Sequence, residues 1–475
     1  MVGSRQRESS EPNRRSSRAC AERGSTEPVP ELYHNFVPID RWAMTIQTGQ
    51  TVTQDETATD PQAPPADASD ETPPFQRPRN LLPYPYFSQA ERDRRWSLVR
   101  LAMAQVSVDC IIVPPDASGS GRLAAHARYL THVGFGLTDI AAVMPVDGEV
   151  CAVVPNPEEW TSTQPWCSDV RSNSNGFSAA LIAKLEEVPL PNRRVGIVGM
   201  PRDGERSRGE ASLALLTQLQ NGLPDIDWVD STDILSTSRI TKSAEEVAFL
   251  ERSMSIVDAS FRATLEAARL DATDGNVWTV AFETVARLGS EPPVRVGWTR
   301  HDRSVLRQSA LGRRAITLET PWIGEFEAAW GGYRARGAQT FILGNLEAPY
   351  PELVRLCSEL WGALIELIHP GIEMRQLRER IYRAWRQLAP KTGTLAGATC
   401  EVRLVGAGLG WDKPRIGSRD MPSDDLARTV APGWCFSLAA RVALGAHQVV
   451  WGDTLAVGSR SARCLGKTPQ GREDQ

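Results

Sequence analysis

Twice in the C-terminal half of this chain, two amphipathic helices are followed by strand-forming segments, and that order narrows the fold more than any other feature. The first helix begins in ITKSAEEVAFL, where Ser243 and Glu246 have the spacing of a capping box and apolar residues then recur at helical intervals. A second helix follows in DGNVWTVAFETVARLG. Next comes EFEAAWGGYRARGAQTFILG, residues 325–344, which reads as two strands folded back at Gly331-Gly332. The pattern then recurs, with helices in PELVRLCSELWGALIELI and HPGIEMRQLRERIYRAWRQLA and strand- and turn-like sequence to the end. Residues 236–465 therefore read as an α+β domain with an internal pseudo-twofold repeat and no short repeat period.

Residues 81–235 read as an α/β domain. Ser88 and Glu91 repeat the capping-box spacing ahead of a helix bearing Trp96, Val99, Leu101 and Met103. Buried strands are expected in VDCIIVPP and RVGIVGM, and IAAVMPVDGEVCAVV should turn as a hairpin at Asp147-Gly148. Residues 1–80 and 466–475 read as disordered tails. TQDETATDPQAPPADASDETPPFQRP, for example, is rich in Pro, Asp, Thr and Ala with little to bury, and Met44 inside the first tail is an alternative start of translation.

The chain carries 53 basic and 58 acidic side chains, a net charge of −5, so its bulk charge favours neither nucleic acid nor an anionic membrane. It has no run of about 18 apolar residues for a membrane span. MVGSRQRESSEPNRRSSRAC lacks an apolar signal core, so a cytoplasmic protein is expected. The 8 cysteines include no pair two or three residues apart, which argues against a zinc knuckle or a redox pair. Those in VDCIIV and PGWCFSL read as small buried side chains.

RITKSAEEVAFL, WGGYRARGAQTFILGN, HPGIEMRQLRERI, GAGLG, VAPGWCFSLAARV and VVWGDTLAVG occur in that order. With these landmarks, residues 85–465 resemble the creatinase, aminopeptidase P and methionine aminopeptidase family. The resemblance implies an α/β N-terminal creatinase-like domain, a pita-bread C-terminal domain and, by analogy, a homodimer. In the family's metal-dependent members two aspartates, one histidine and two glutamates bridge two divalent ions, which polarise a carbonyl and activate water. The matching positions here are Glu325, Arg336, Ala407, Ala439 and Gly452. Alanine and glycine cannot ligate and a guanidinium repels a cation, so no metal and no cofactor is expected. Glu325 and Arg336 should instead face each other across the hairpin as an ion pair in the former metal volume. Creatinase, a metal-free member, uses a histidine and a glutamate. The glutamate position is Ala338, and the histidine position falls near Gln308 unless an insertion brings His301 into place, so creatine chemistry is not implied.

Two kinds of function remain open. One is a metal-independent enzyme acting on a C–N or related bond of a small carboxylated molecule by hydrolysis or elimination. Its catalytic residues would be Glu325 as base or substrate orienter, Arg336 as anion holder and His301 as acid/base. The other is a non-catalytic protein that binds a small molecule or a partner protein in the degenerate cavity. Five tryptophans flank the former ligand positions, Trp322, Trp330, Trp411, Trp434 and Trp451, so an aromatic-walled cavity is weighed against ordinary sheet-core packing. Tyr333, Trp411, Asp412, Lys413, Trp434, His447, Trp451 and Asp453 are the substrate-binding candidates, and Arg441 is a second cation for a substrate carboxylate. Against them stand packing for Tyr333, an exposed strand end for Asp453, and a regular strand that turns His447 away from position 452.

Overall fold

The computed structural model describes residues 86–467, other than 117–121, 135–137, 162–163, 201–210, 293–294, 301–311, 318–320, 346 and 417–422. The two expected tails, Met44, His301 and Gln308 thus lie outside the described residues, apart from positions 466 and 467. The first part of the chain runs α1 (Gln89–Gln105), β1 (Cys110–Val113), α2 (Arg122–Thr131), β2 (Ala141–Pro145), β3 (Cys151–Val154), α3 (Glu158–Thr161), β4 (Asp169–Ser172), α4 (Phe177–Glu187), β5 (Arg194–Ile197), α5 (Leu213–Gly222), β6 (Asp227–Asp230) and α6 (Thr232–Ser238). Its six strands form one mixed sheet in the order β4-β3-β2-β1-β5-β6. The CIIV of β1 is buried on both faces, which is why it reads as an unbroken apolar run. The hairpin β2–β3 and the parallel pairs β1–β5 and β5–β6 make this an α/β unit.

The second part runs α7 (Ala244–Ala267), α8 (Asp274–Arg287), β7 (Arg295–Arg300), β8 (Trp322–Trp330), β9 (Tyr333–Phe341), α9 (Tyr350–Leu367), α10 (Met374–Leu388), β10 (Thr399–Ala407), β11 (Trp411–Ile416), α11 (Ser423–Leu426), β12 (Cys435–Leu444), β13 (His447–Val457) and β14 (Ala462–Cys464). Its strands form an 8-stranded sheet in the order β11-β10-β12-β13-β9-β8-β7, with β14 added along β13. The pseudo-repeat is visible in the backbone. Each helix pair is followed by strands, and the residue before each second helix makes an isolated antiparallel bridge to the chain beyond, Thr273 to Ala315 and Glu373 to Thr429.

The capping boxes explain where the helices start. Ser243 Oγ accepts the Glu246 backbone N–H at 3.2 Å, and the Ser243 N–H donates to Glu246 Oε2 at 2.9 Å. At Ser88 only half of the box forms: its hydroxyl accepts the Glu91 N–H at 3.1 Å, while the Glu91 carboxylate turns to Arg94 and Arg95.

Helices cover one face of the second sheet. A Cβ on Gly337 would lie 2.6 Å from Met254 and 2.7 Å from Val257, so α7 sits directly on β9. Leu353, Cys357, Leu360 and Leu364 of α9 share a core with Leu438, Ala440 and Val442 of β12 and Val449 and Leu455 of β13. The alternation of side chains along a strand then sends Glu325, Glu327, Arg336, Ala338, Ala439 and Gly452 to the other face.

Candidate functional site

Cross-strand pairing puts three of the five family ligand positions, Glu325, Gly452 and Ala439, in one row with Ala338 and Arg403, while Ala407 pairs with Trp411 further along β10. Glu325 pairs with Ala338, Ala338 with Gly452, Gly452 with Ala439, and Ala439 with Arg403. Five strands, β8, β9, β13, β12 and β10, carry this row, which on a flat sheet would span about 19 Å at about 4.8 Å per gap. Yet Arg403 Nη2 lies 3.6 Å from Glu325 Oε1. The sheet therefore curls, and this helix-free face is its concave side.

The two ends of the row are closed by charge. Arg336 Nη1 stands 3.0 Å from Glu325 Oε1, and its Nη2 donates to Glu327 Oε2 at 2.7 Å. Arg334 Nη1 donates to the other oxygen of Glu327 at 2.9 Å. The side chains of Glu325 and Arg336 are 0% and 3% exposed. Burial by itself would raise the Glu327 carboxyl, but the positive charges of Arg336 and Arg334 outweigh it and hold the pKa at about 2.

The expected ion pair of Glu325 and Arg336 is present, but its register differs from the expectation. The two-residue turn at Gly331-Gly332 pairs Trp330 with Tyr333, which sets Glu327, not Glu325, opposite Arg336. Glu325 reaches the guanidinium on the diagonal. Glu327 was legible: EFE places both carboxylates on one face, and counting back from the turn gives the partner. Arg334 follows from the same alternation. Arg403 had no sequence signal, because only the curl of the sheet brings it to Glu325.

These residues do not fit a divalent ion. Two guanidiniums share Glu325 Oε1, Ala439 and Gly452 offer no side-chain donor, and no cluster of three His, Cys, Asp or Glu suited to a metal occurs among the described residues.

Most other candidates lie away from the concave face. Trp451 and Trp434 are buried in the core against α9 and α10, and Trp322 is stacked on Trp298 at 5.4 Å toward Phe341. Trp330 packs over Gly289 with the Arg252 guanidinium 5.0 Å from its ring. Strand alternation turns these indoles to the helices, so the tryptophan-walled cavity is not formed by them. The Trp411 side chain lies outside the described residues. Tyr333 is buried, and its hydroxyl donates to Glu246 Oε1 at 2.6 Å and accepts from Arg95 at 3.0 Å, joining α7, α1 and β9. Asp412 is enclosed by Arg239 at 2.6 Å and Lys242 at 2.8 Å, and Lys413 reaches Asp233 at 3.2 Å. His447 Nδ1 is 3.0 Å from the Tyr350 hydroxyl of α9, on the helix side as its strand position requires. Asp453 is not an exposed strand end. It is buried toward α7, and burial together with the nearby Asp258 raises its pKa to about 8. Arg441 does lie on the concave face, two residues along β12 from Ala439, with Glu401 at 3.4 Å.

Residues 237–459 match the family model described as metallopeptidase family M24. No curated protein matches the sequence. The fold is similar to that of a prolidase from Pyrococcus horikoshii OT3, at 15% identity over 79% of this chain and 99% of that one, TM-score 0.62. It is also similar to an Xaa-Pro dipeptidase from Bacillus anthracis, at 13% identity over 80% and 98%, TM-score 0.64. A third likeness is to an X-Pro aminopeptidase from Thermotoga maritima MSB8, at 13% identity over 78% and 99%, TM-score 0.61. At these identities the likeness establishes the architecture, a creatinase-like domain followed by a pita-bread domain.

Proposed function

We propose, from the match of residues 237–459 to the metallopeptidase family M24 model, that the chain is a metal-independent member that takes a small carboxylated molecule onto its concave face. The bond acted on is a C–N or related bond, broken by hydrolysis or elimination. One observation carries this reading: two guanidiniums converge on Glu325, where the family resemblance puts a metal-ligating aspartate. Guanidiniums bind carboxylates as forks and supply fixed positive charge, the part of a metal's work that does not need ligation. In this assignment Arg336 and Arg403 hold and polarise the substrate, and Glu325 accepts the proton released from water or from the carbon beside the breaking bond. A homodimer, by analogy with the family, and a cytoplasmic location go with the reading; no described helix is long and apolar enough to cross a membrane.

The second reading, a binder without turnover, is favoured by the burial of Glu325, which is 0% exposed. The discriminating experiment is a screen of the full chain against carboxylated amides, amidines and dipeptides by thermal shift, followed by product analysis in chelator. A bound ligand raises Tm by mass action. Product formed in chelator supports the metal-independent enzyme; a shift without product supports the binder. Turnover that appears only with added manganese, cobalt or zinc defeats the metal-independent assignment.

A further inference from the structure

Helix α10 turns one stripe to the core and another to solvent. Met374, Leu377 and Ile381 are buried, while Arg375, Arg378, Arg380, Arg383 and Arg386 occupy the rest of its surface with Glu379. Arg375 has the capping residue Glu373 at 3.5 Å. Among the described residues, Arg378, Arg380, Arg383 and Arg386 are in no ion pair. Helical spacing of three and four puts Glu379, Tyr382, Arg383 and Arg386 on one outer stripe. Together with Trp385 they line an open groove of ≈ 560 Å³. Tyr382 is 60% exposed, and Trp385 is half-buried with its ring packed on the core below. Exposed aromatic rings beside guanidiniums have the composition of a protein contact surface.

The occupant that charge selects lies in the same chain. Residues 45–76 contain Asp55, Glu56, Asp60, Asp67, Asp70 and Glu71 and no lysine or arginine, and they are kept whether translation starts at Met1 or Met44. Pro61, Pro64 and Pro65 stand between Asp60 and Asp67. A polyproline II chain has three residues per turn, so Pro61 and Pro64 would share one side of it, the arrangement that aromatic-lined grooves accept. The segment can also reach. The Met374 N–H donates to the Arg428 carbonyl at 2.9 Å, Arg428 Nη2 donates to Thr237 of α6 at 3.4 Å, and α6 packs against α1. Pro64 lies 22 residues before Tyr86, the first described residue, which allows up to about 75 Å of extended chain. That exceeds the lengths of α1 and α10, about 26 and 23 Å, plus two helix spacings of about 10 Å. Tethering also gives such a segment a high effective concentration at the groove.

We propose that the outer face of α10 is the docking site of the chain's own acidic segment, residues 55–71. Pro61 and Pro64 lie on Tyr382 and Trp385, and the flanking carboxylates meet Arg383 and Arg386. This docking does not depend on the function assigned to the concave face.

Photocrosslinking of the full chain, with p-benzoylphenylalanine in place of Tyr382, tests it. Trypsin has no cleavage site between Arg41 and Arg79, because Arg77 precedes Pro78, so the segment is recovered as one peptide, residues 42–79. Crosslinks from position 382 to that peptide are expected, within single chains when light and isotopically heavy protein are mixed. Capture should fall at least fivefold when Asp60, Asp67, Asp70 and Glu71 are replaced by their amides, and likewise with Arg383→Gln and Arg386→Gln combined. It should fall as salt rises from about 0.1 to about 1 M, where the Debye length shrinks from about 10 to about 3 Å. The same probe at Leu213, 79% exposed on α5, should not capture the peptide. Circular dichroism checks each fold; should the position 382 variant not fold, the probe at exposed Gln387 of the same helix carries the test. Equal capture at Leu213, or capture unchanged by the amide substitutions, overturns the docking site. Light–heavy pairs alone give the face to a second copy of the chain and overturn it as well. Absence of capture at positions 382 and 387 also overturns it. Binding of phosphatidylserine vesicles or of an oligonucleotide, lost in the Arg383→Gln, Arg386→Gln variant, would then assign the face to an external anion.

Discussion

Arg336 serves two carboxylates, so removing it and removing Glu325 are unequal events. Arg336→Leu strips one guanidinium from both Glu325 and Glu327, and breaking such a buried pair costs about 3–5 kcal/mol. Glu325→Leu should cost less, because Arg336 keeps Glu327 at 2.7 Å. The double variant should recover part of the loss but not all, since Glu327 is left with Arg334. Urea unfolding of the three variants measures this, and strictly additive losses would show that Glu325 and Arg336 are not coupled. Glu327 contributes to the loss of stability in acid. Its folded pKa of about 2 lies below the ordinary 4.5, so its contribution, roughly 3 kcal/mol, is fully present above about pH 4.5 and is lost as pH falls toward 2. Glu327→Gln should flatten that acid limb in a pH series of unfolding midpoints. The Glu325–Arg336 contact was legible because both residues lie on one hairpin, whose turn fixes distance along the chain. Arg403 was not, because its contact depends on how far a many-stranded sheet bends, and no local pattern encodes that.

Among the elements, helices were the most legible. Ser243 and Glu246 state the start of α7 in the sequence, and the Gly331-Gly332 turn states the hairpin. What periodicity could not settle is which face of β12 and β13 meets the helices, because both faces carry apolar residues. Trp434 and Trp451 were ambiguous for that reason, and α9 decided them. Asp453 shows the cost of the helix side for a polar residue. It accepts the backbone N–H of Thr454 at 2.6 Å and of Gly466 at 3.1 Å, while Asp258 beside it accepts from Lys467. Its pKa of about 8 lies above the ordinary 3.8, so the fold prefers the protonated acid. That contribution is complete below about pH 3.8 and is lost progressively as pH rises through 8. Asp453→Asn keeps the accepting oxygen without the charge, so it should raise Tm at pH 8 and reduce the decline of stability between pH 4 and 8. An unchanged pH profile would mean that Asp453 titrates alike in the folded and unfolded chain.

For the whole molecule, one of the links between the two sheets is a buried knot of charge and aromatic rings. Arg95 of α1 is fully buried, with Glu91 at 2.6 Å, the Tyr333 hydroxyl at 3.0 Å and the Phe87 ring centroid 4.4 Å from its guanidinium. Tyr333 in turn donates to Glu246, the residue that closes the α7 capping box, and Ser88 at the head of α1 donates to Glu245. The start of α1, the start of α7 and the hairpin that carries Arg336 are thereby fixed to one another. Tyr333→Phe keeps the ring but removes the donor to Glu246 and the acceptor for Arg95, both buried, at a cost of about 1–3 kcal/mol. The expected result is a lower unfolding midpoint with the affinity for a concave-face ligand changed less than twofold, because the hydroxyl points into the knot and away from Glu325. Arg95→Met should cost more, about 3–5 kcal/mol, since it leaves Glu91 and Glu246 buried with fewer cations. Equilibrium unfolding and ligand titration on the same preparations separate the two effects. A Tyr333→Phe variant with parental stability and tenfold weaker binding would return Tyr333 to the binding site, and would require the hairpin to present its hydroxyl to the concave face in the bound state.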